Sequence, residues 1–240
     1  MKLSLGAGML ERDFPEIRAL PLFAEIAPEN FEALMRGAYL QTFPPQIELI
    51  REGDPSDFLH VVVEGAVELF AAWNGRETVM QLVHPVSTFI VAATIRDAPY
   101  LMSARTLERA RIVLIPSQDI RAVFAADPAF ARAVVAELAQ CYRVVVKHTK
   151  GLKLRNGLER LANHLLRQRA AAGGAPAFEL EVEKRRLSAF LGMTPENLSR
   201  AFRSLEPYGV KVDGATVRIA DPAELIRLAR PSPLIDDSSV

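Results

Sequence analysis

The hydrophobic periodicity of this chain changes at Asp127-Pro128, and that change restricts what the chain can fold into. Across residues 42–107 apolar residues alternate with other residues, which is the period of a half-buried strand. After Asp127-Pro128 they recur at alternating steps of three and four, which is the period of a helical seam. A block of strands followed by a block of helices predicts an α+β fold.

The strand block is predicted to form an antiparallel roll or barrel. A generic β-sandwich stays open, because periodicity does not separate the two. Asn74-Gly75 is a hairpin signal, since both central residues of a type I′ turn take positive φ. Residues 101–116 supply two more short strands. No helix-period stripe is visible within residues 42–107, so no helix is predicted there.

The helix that follows is predicted to carry a coiled-coil seam. Asp127 suits an N-cap and Pro128 a first helical turn. A strict three-four seam favours a partner helix, so we expect a homodimer, although packing on the chain's own barrel is the alternative. His148 would then face its symmetry mate, and Cys141 is interpreted as a small core hydrophobe. The seam residues are Val134, Leu138, Cys141, Val145, His148 and Leu152.

The formal net charge of zero conceals a division along the chain. Residues 1–142 carry 12 Lys and Arg against 18 Asp and Glu, whereas residues 143–218 carry 15 against 7. The basic second part is the candidate for binding a polyanion. The single cysteine, Cys141, excludes a disulfide framework and a cysteine-ligated iron–sulfur cluster or zinc finger within one chain.

Two apolar stretches bear on where the protein is located. Residues 1–10 resemble a short signal peptide, but an Ala-x-Ala cleavage pattern is missing and charged residues follow at once. Residues 78–95 contain no Lys, Arg, Asp or Glu, but they include Pro85 and follow a hairpin turn, which favours a buried sheet segment over a membrane span. We therefore expect a cytoplasmic protein that does not enter the membrane.

Residues 184–205 have the pattern of a helix-turn-helix. The first helix stops at Gly192, where a left-handed conformation is tolerated. Thr194 caps a second helix that has Pro195 at its first position. The apolar residues fall on the inward faces of the two helices, and polar residues remain outside. Residues 208–219 are predicted to form a hairpin around Asp213-Gly214, which is the wing of a winged helix.

The chain as a whole resembles one bacterial family, the cyclic-AMP receptor and fumarate–nitrate regulator (Crp/Fnr) transcription factors. The resemblance covers residues 20–222, and it depends on the helix-turn-helix together with residues 50–54 (Ile-Arg-Glu-Gly-Asp) and 57–67, which look like the β-roll signature of the family. It implies an effector-sensing β-roll over residues 14–126, a dimerisation helix over 127–153, a winged helix-turn-helix DNA-binding domain over 154–222 and a C-terminal extension over 223–240. It also implies a palindromic double-stranded DNA operator, with RNA polymerase as a further partner.

The second helix of the motif resembles the Glu-x-x-Ser-Arg pattern of the fumarate–nitrate branch, which implies a TTGAT-like half-site. Its predicted base-reading residues are Glu196, Ser199 and Arg200. A carboxylate accepts a hydrogen bond from cytosine N4, and a guanidinium donates two to guanine. The predicted phosphate contacts are Lys184, Arg185, Thr194 and Arg203.

The effector pocket departs from the cyclic-nucleotide-binding relatives. Their phosphate-cassette Gly-Glu pair falls at Val91-Ala92, their phosphate-clamping Arg-Ser pair at Met102-Ser103, and their two purine-holding polar residues at Val145-Val146. Arg105 could replace the missing arginine but lies an odd number of positions from Met102, so on a strand it faces the other side. A cyclic nucleotide would be buried without partners, so cyclic AMP is not the expected effector. The predicted pocket, for an apolar or planar molecule or a gas, is lined by Phe89, Val91, Ala92, Met102, Ser103, Tyr142, Val145 and Val146.

Several alternatives stay open at the level of sequence. These side chains could fill the pocket so that it binds nothing. Haem is left open, with His84 as the candidate ligand, whereas the spacing of the histidines predicts no metal site. An enzyme is not expected, since no catalytic constellation, G-x-G-x-x-G or Walker loop is present. The rival functions are a ligand-binding regulatory subunit that does not bind DNA and a haem-based gas or redox sensor.

Overall fold

The computed structural model describes residues 14–237, so the apolar stretch at residues 1–10 lies outside the described residues. The chain divides into two compact units with the boundary between Cys141 and Tyr142. We call them the N-terminal and the C-terminal unit. The arrangement of strands followed by helices confirms the predicted α+β class. Among the described residues, no helix combines the length and the apolar character needed to span a bilayer.

The strands of the N-terminal unit all pair in antiparallel fashion. They are β1 (Tyr39–Phe43), β2 (Glu48–Ile50), β3 (Phe58–Glu64), β4 (Val67–Trp73), β5 (Arg76–Val83), β6 (Ser87–Phe89), β7 (Ser103–Thr106) and β8 (Ala110–Pro116). They form two four-stranded sheets, in the orders β1-β8-β3-β6 and β2-β7-β4-β5. Asn74 and Gly75 join β4 to β5 with φ angles of 49° and 72°, as the hairpin prediction requires.

Six helices begin within the N-terminal unit. They are α1 (Phe14–Arg18), α2 (Pro21–Ala24), α3 (Pro28–Gly37), α4 (Val91–Arg96), α5 (Ser117–Ala126) and α6 (Pro128–Leu154). The prediction of no helix within residues 42–107 is wrong, because α4 lies there. With six residues, α4 buries only Val91 and Thr94, which is too short a stretch to show a helical period in the sequence.

Asp127 ties the beginning of α3 to the beginning of α6. Its Oδ1 accepts hydrogen bonds from the backbone N–H groups of Ala129 (2.9 Å) and Phe130 (3.1 Å), which confirms the predicted N-cap. Its Oδ2 accepts from the Ala27 N–H at 2.9 Å and from Asn30 Nδ2 at 3.0 Å. The hydrogen bonds from Asn30 and from these backbone groups lower the pKa of the Asp127 carboxyl to about 2.

The first turns of α6 belong to the core of the N-terminal unit. The rings of Phe23 and Phe130 stack with centroids 5.9 Å apart, and both side chains are fully buried. Val134 lies in the same apolar cluster and Leu138 packs against it. Val134 is therefore not available to a partner helix, contrary to the predicted seam, because its side chain is already 99% covered by its own unit.

The middle of α6 is bare. Every residue from 139 to 146 is exposed, although most of these side chains are apolar. Cys141 is exposed as well, so its interpretation as a core residue depends on a partner and stays a prediction. Leu152, the last seam residue, is 40% exposed.

The C-terminal unit contains a three-stranded antiparallel sheet and the remaining helices. After the end of α6 its elements are α7 (Gly157–Ala171), β9 (Ala177–Glu179), α8 (Lys184–Phe190), α9 (Pro195–Leu205), β10 (Val210–Asp213), β11 (Thr216–Ile219), α10 (Pro222–Ala229) and α11 (Pro233–Asp236). The strand order is β10-β11-β9. The hairpin β10–β11 turns at Gly214 (φ 57°) and forms the predicted wing.

One apolar cluster holds the C-terminal unit together. Leu161 of α7 and Phe202 of α9 share it with Leu225 and Ala229 of α10. The unit therefore continues past residue 222, which was predicted as the end of its DNA-binding domain. The amphipathic face of α10 packs on α7 and could not be assigned to this core from the sequence, because its packing partner lies more than fifty residues earlier in the chain.

His148 packs inside the C-terminal unit. Its ring lies 5.6 Å from that of Phe190, which also lies 5.8 Å from that of His164. His148 therefore has an aromatic partner on α8 of its own unit, and its contact with a symmetry mate stays a prediction. Burial, followed by the nearby charges of Arg167 and Arg160, lowers the pKa of His148.

Candidate nucleic-acid interface

The turn between α8 and α9 is built as the sequence predicts. Gly192 takes a φ of 63°, a left-handed conformation that favours glycine at this position. Thr194 Oγ1 accepts a hydrogen bond from the Asn197 N–H at 3.3 Å, and Pro195 occupies the first position of α9. These local signals fix where the second helix begins.

The helix α9 separates an apolar face from a polar one. The side chains buried against the rest of the unit are Leu198, Ala201, Phe202 and Leu205. The side chains left exposed on the other face include Glu196, Asn197, Ser199, Arg200 and Arg203. All three predicted base-reading residues therefore lie together near the beginning of one exposed helical face.

Glu196 and Ser199 on this face are held by hydrogen bonds to other groups in the first turns of α9. The backbone N–H of Glu196 itself and the Thr194 hydroxyl hold the pKa of the Glu196 carboxyl below its ordinary value, with a smaller contribution from Arg200. Glu196 is thus an ionised hydrogen-bond acceptor at neutral pH. Ser199 Oγ donates to the Pro195 carbonyl at 3.0 Å, which leaves its lone pairs able to accept.

Asn197 lies on this face but was not among the predicted base-reading residues. Its Oδ1 accepts a hydrogen bond from Arg200 Nη2 at 2.7 Å. One of the five N–H donors of the guanidinium is used in this way, and the others remain available. The spacing of three residues on a helix was a signal for this contact, because such pairs are neighbours on the helix surface.

The four predicted phosphate contacts flank this face. Lys184, Arg185, Thr194 and Arg203 are all exposed. Lys184 Nζ lies 5.7 Å from the centroid of the Phe202 ring, which places the ammonium group beside the second half of α9. Each of the three cations is free to turn toward a polyanion, since only weak surface contacts restrain it.

The wing adds two cations that the sequence prediction also left out. Lys211 and Arg218 lie directly opposite each other in the β10–β11 register, and both are exposed. Like charges at opposite positions of an antiparallel pair are destabilising, and an anion placed between them relieves the repulsion. The alternation of the two short strands was the signal that could have paired these residues.

Comparison with known protein families finds one matching family model for the strand-rich part of the chain and one for the helix-turn-helix part. The model of the cyclic nucleotide-binding domain matches residues 40–127, and that of the Crp-like helix-turn-helix domain matches residues 159–228. The chain belongs to the Crp/Fnr family of transcription regulators. The second match ends inside α10, in agreement with the extent of the apolar core.

Individual members of the Crp/Fnr family resemble the chain over most of its length. A CRP-like cAMP-activated global transcriptional regulator of Mycobacterium tuberculosis is 25% identical over 215 residues, which cover 87% of this chain and 96% of that protein. The transcriptional activator protein Anr of Pseudomonas aeruginosa is 26% identical over 186 residues, which cover 75% and 76%. The solved structure of FixK2 from Bradyrhizobium japonicum has the same fold, with a TM-score of 0.70 at 22% identity over 81% of this chain and 98% of that one. The two sequence relatives are transcription regulators, a class of protein without catalytic activity.

The predicted effector residues of this Crp/Fnr regulator are not gathered in one place within the N-terminal unit. Phe89 and Val91 belong to different apolar clusters, because Ile90 between them takes a left-handed conformation (φ 66°) that reverses the direction of the chain. Ala92 is exposed, whereas Met102 packs against the cluster that contains Phe89. Phe89 and Val91 are both buried, and whether the region also admits an effector stays a prediction.

The polar groups near this region already form hydrogen bonds or ion pairs within the N-terminal unit. Ser103 Oγ accepts a hydrogen bond from the Glu52 N–H at 3.0 Å. Arg105 pairs with the buried Glu68 and with Glu77, and its guanidinium stands 4.2 Å from the ring centroid of Phe70. The arginine that could have replaced the missing phosphate ligand is thus neutralised by two carboxylates.

The remaining predicted pocket residues belong to the C-terminal unit. Tyr142 and Val145 are 70% and 61% exposed, and Val146 is 38% exposed. All three lie on the bare middle of α6.

The histidines give no sign of a metal centre. His84, the candidate haem ligand, is exposed at the end of β5. His60 is buried and its ring stacks 5.0 Å from that of Phe89; burial lowers its pKa to about 4. No group of three or more His, Cys, Asp or Glu side chains in residues 14–237 is arranged to hold a metal ion.

Proposed function

We propose that this Crp/Fnr regulator acts as a homodimer that reads a palindromic, TTGAT-like operator with the exposed face of α9. The observation that carries the proposal is the placement of Glu196, Asn197 and Arg200 at the exposed beginning of a capped helix. An ionised carboxylate there can accept from cytosine, and a guanidinium can donate twice to guanine. The cations of the wing and of α8 are suited to the flanking phosphates.

The test is binding of labelled DNA duplexes at several salt concentrations. A TTGAT palindrome is expected to bind at least about a thousandfold more tightly than random DNA of equal length. Arg200→Ala is expected to lose most of this selectivity, whereas Arg227→Ala, which removes an exposed arginine from α10, leaves it intact. Equal binding of both duplexes would reject the proposal and favour a regulatory subunit that does not bind DNA.

The homodimer is supported by the bare middle of α6. Two copies of this helix would cover Tyr142, Val144 and Val145, which are 70%, 47% and 61% exposed in one chain. Two DNA-reading helices in a dimer of this kind lie roughly 34 Å apart, one turn of the duplex. Such a dimer explains why the operator is expected to be palindromic.

Two variants of α6 test the dimer. Val145→Asp is expected to convert the protein to a monomer in sedimentation experiments, because it would bury a carboxylate at the centre of the interface. Ala139→Asp is the control, since Ala139 is also exposed on α6 but lies on the side of the helix away from Val145 and the seam. A monomeric wild-type protein, or equal effects of the two variants, would reject this interface.

We further infer that the effector is an apolar or planar molecule or a gas rather than cyclic AMP. Two features support this inference: Arg105 is neutralised by Glu68 and Glu77, and Val91 and Met102 stand where a cyclic phosphate would need polar partners. Cyclic AMP is therefore expected not to raise the melting temperature. An absorption spectrum of the purified protein tests haem directly, and RNA polymerase is the partner expected at the promoter.

A further inference from the structure

A carboxylate near the end of the described chain is bound by two arginines of the C-terminal unit. Asp236 receives a bidentate pair of hydrogen bonds from Arg155, at 2.8 and 2.6 Å, and a third from Arg167 Nη1 at 2.8 Å. The side chains of Asp236 and Arg155 are each only 10% exposed. A planar guanidinium that meets a carboxylate in this fork geometry forms the most directional kind of ion pair.

The segment that carries this carboxylate is held at further points. Lys147 Nζ donates to the Asp237 carbonyl at 2.6 Å, and Lys150 Nζ donates to the Leu234 carbonyl at 3.5 Å. Asp236 Oδ2 also accepts from the Ser232 N–H at 2.8 Å, which keeps the segment folded on itself. Two lysines of α6, the arginine that follows α6 and an arginine of α7 thus converge on six residues.

The path into this segment is anchored as well. Asn163 Nδ2 of α7 donates to the Ala229 carbonyl at the end of α10 at 2.7 Å, and this contact is buried. The chain then turns at Arg230, which takes a left-handed conformation with a φ of 45°. The residues that lead into the segment are therefore held in place by α7, close to the two arginines.

The ion pair is charged at neutral pH. Burial by itself would raise the pKa of the Asp236 carboxyl, but hydrogen bonds from Arg155 and the Ser232 N–H, together with the charges of Arg155 and Arg167, lower it below its ordinary value. A buried arginine without this carboxylate would lose its compensating charge, which is strongly unfavourable.

We propose that residues 232–237 are an intramolecular ligand of a carboxylate-binding site formed by Arg155 and Arg167, and that this docking clamps α7 to the end of α6. Arg155 lies in the two-residue link between the helices, so the clamp acts where their relative direction is set. Leu161 and Leu165 of α7 share one core with Leu198 of α9. By holding α7 against the end of α6, the clamp therefore also fixes α9, which shares the core of α7, relative to that end.

Hydrogen exchange of the full-length protein tests the clamp without DNA. Asp236→Asn is expected to speed amide exchange in peptides that cover residues 147–156 and 232–237 by about tenfold or more, because the buried guanidinium loses its partner. Arg167→Gln, which leaves the Arg155 pair in place, should give a smaller increase in the same peptides. Glu224→Gln is the control, since it removes a carboxylate from an exposed pair with Arg227 on α10. Exchange in Asp236→Asn that equals the wild-type and control rates would overturn the proposal.

The consequence for DNA reading rests on the proposed function, and a second experiment separates the two. Wild-type protein and Asp236→Asn are compared on the TTGAT palindrome and on the same palindrome with one base pair inserted at its centre. Loss of the clamp is expected to reduce the preference for the correct spacing at least about threefold, because the reading helices become less constrained. Faster exchange with an unchanged spacing preference would refute the link to DNA reading. A wild-type protein that does not distinguish the palindrome from random DNA would refute the proposed function, whereas the exchange result stands by itself.

Discussion

Arg200 and Asn197 are joined across one turn of α9 by a hydrogen bond of 2.7 Å from Arg200 Nη2 to Asn197 Oδ1. The pair is exposed, so the bond does little for the stability of the fold. Its effect is to restrict a long side chain that otherwise samples many rotamers. A guanidinium that is already oriented loses less conformational entropy when it binds a guanine edge.

Asn197→Ala is expected to weaken binding to the palindrome by about 0.5–1 kcal/mol, because Arg200 loses its orienting partner. Arg200→Ala should cost more, about 1–3 kcal/mol, and relax discrimination at one base pair. Affinities for the palindrome and for variants with single base changes measure both effects. If Asn197→Ala weakened binding to random DNA equally, Asn197 would be a phosphate contact instead.

Lys184→Ala is expected to weaken binding to all sequences alike. The ammonium group lies beside Phe202 in the second half of α9 and is assigned to a phosphate rather than to a base edge, so its loss should remove one phosphate contact. The slope of log affinity against log salt should become shallower by about one unit. Arg227→Ala should leave that slope unchanged, and a sequence-dependent loss in Lys184→Ala would contradict the assignment.

Acid should destabilise the N-terminal unit through Asp127. The folded-state pKa of about 2 lies below the ordinary value of 3.8, so the stabilisation is present above pH 4 and is lost as the pH falls toward 2. Asp127→Asn is expected to lower the melting temperature at pH 7 and to flatten its decline between pH 4 and pH 2. Glu25→Gln, a change at an exposed carboxylate, serves as the control. The argument would be contradicted if the melting temperatures of wild type and Asp127→Asn fell by the same amount between pH 4 and pH 2.

Removing the buried carboxylate beside Arg105 is expected to lower the free energy of unfolding more than removing the exposed one. Glu68 is fully buried and Glu77 is 43% exposed, although both pair with the same guanidinium. Glu68→Gln should reduce the free energy of unfolding by about 2–3 kcal/mol. Glu77→Gln should cost less than about 1 kcal/mol, because solvent screens that pair. Chemical denaturation of both variants measures the two losses of unfolding free energy. Losses of similar size would contradict the argument.

The helix-turn-helix was predictable because its signals are local. Gly192, Thr194 and Pro195 act through their own backbone preferences, so the beginning of α9 and its exposed face follow from a few neighbouring residues. The hairpin at Asn74-Gly75 was predictable for the same reason. By contrast, α4 was missed because six residues are too few to show a period.

The positions of Val134, His148 and the pocket residues depended on contacts that no local pattern contains. Val134 fits a seam equally well on a partner helix or on its own unit, and only the packed core around Phe130 decides between them. His148 meets Phe190, which lies more than forty residues away in the chain. The turn at Ile90 separates Phe89 from Val91, although they are two residues apart in sequence.

By itself, the sequence determined the hairpin at Asn74-Gly75, the turn of the helix-turn-helix and the capped helix that presents Glu196 and Arg200. Each of these depends on residue type and short-range spacing. Only the tertiary structure decided that Arg105 is held by Glu68 and that Asp236 docks on Arg155, because an ion pair between distant residues forms only when the whole core brings their side chains together.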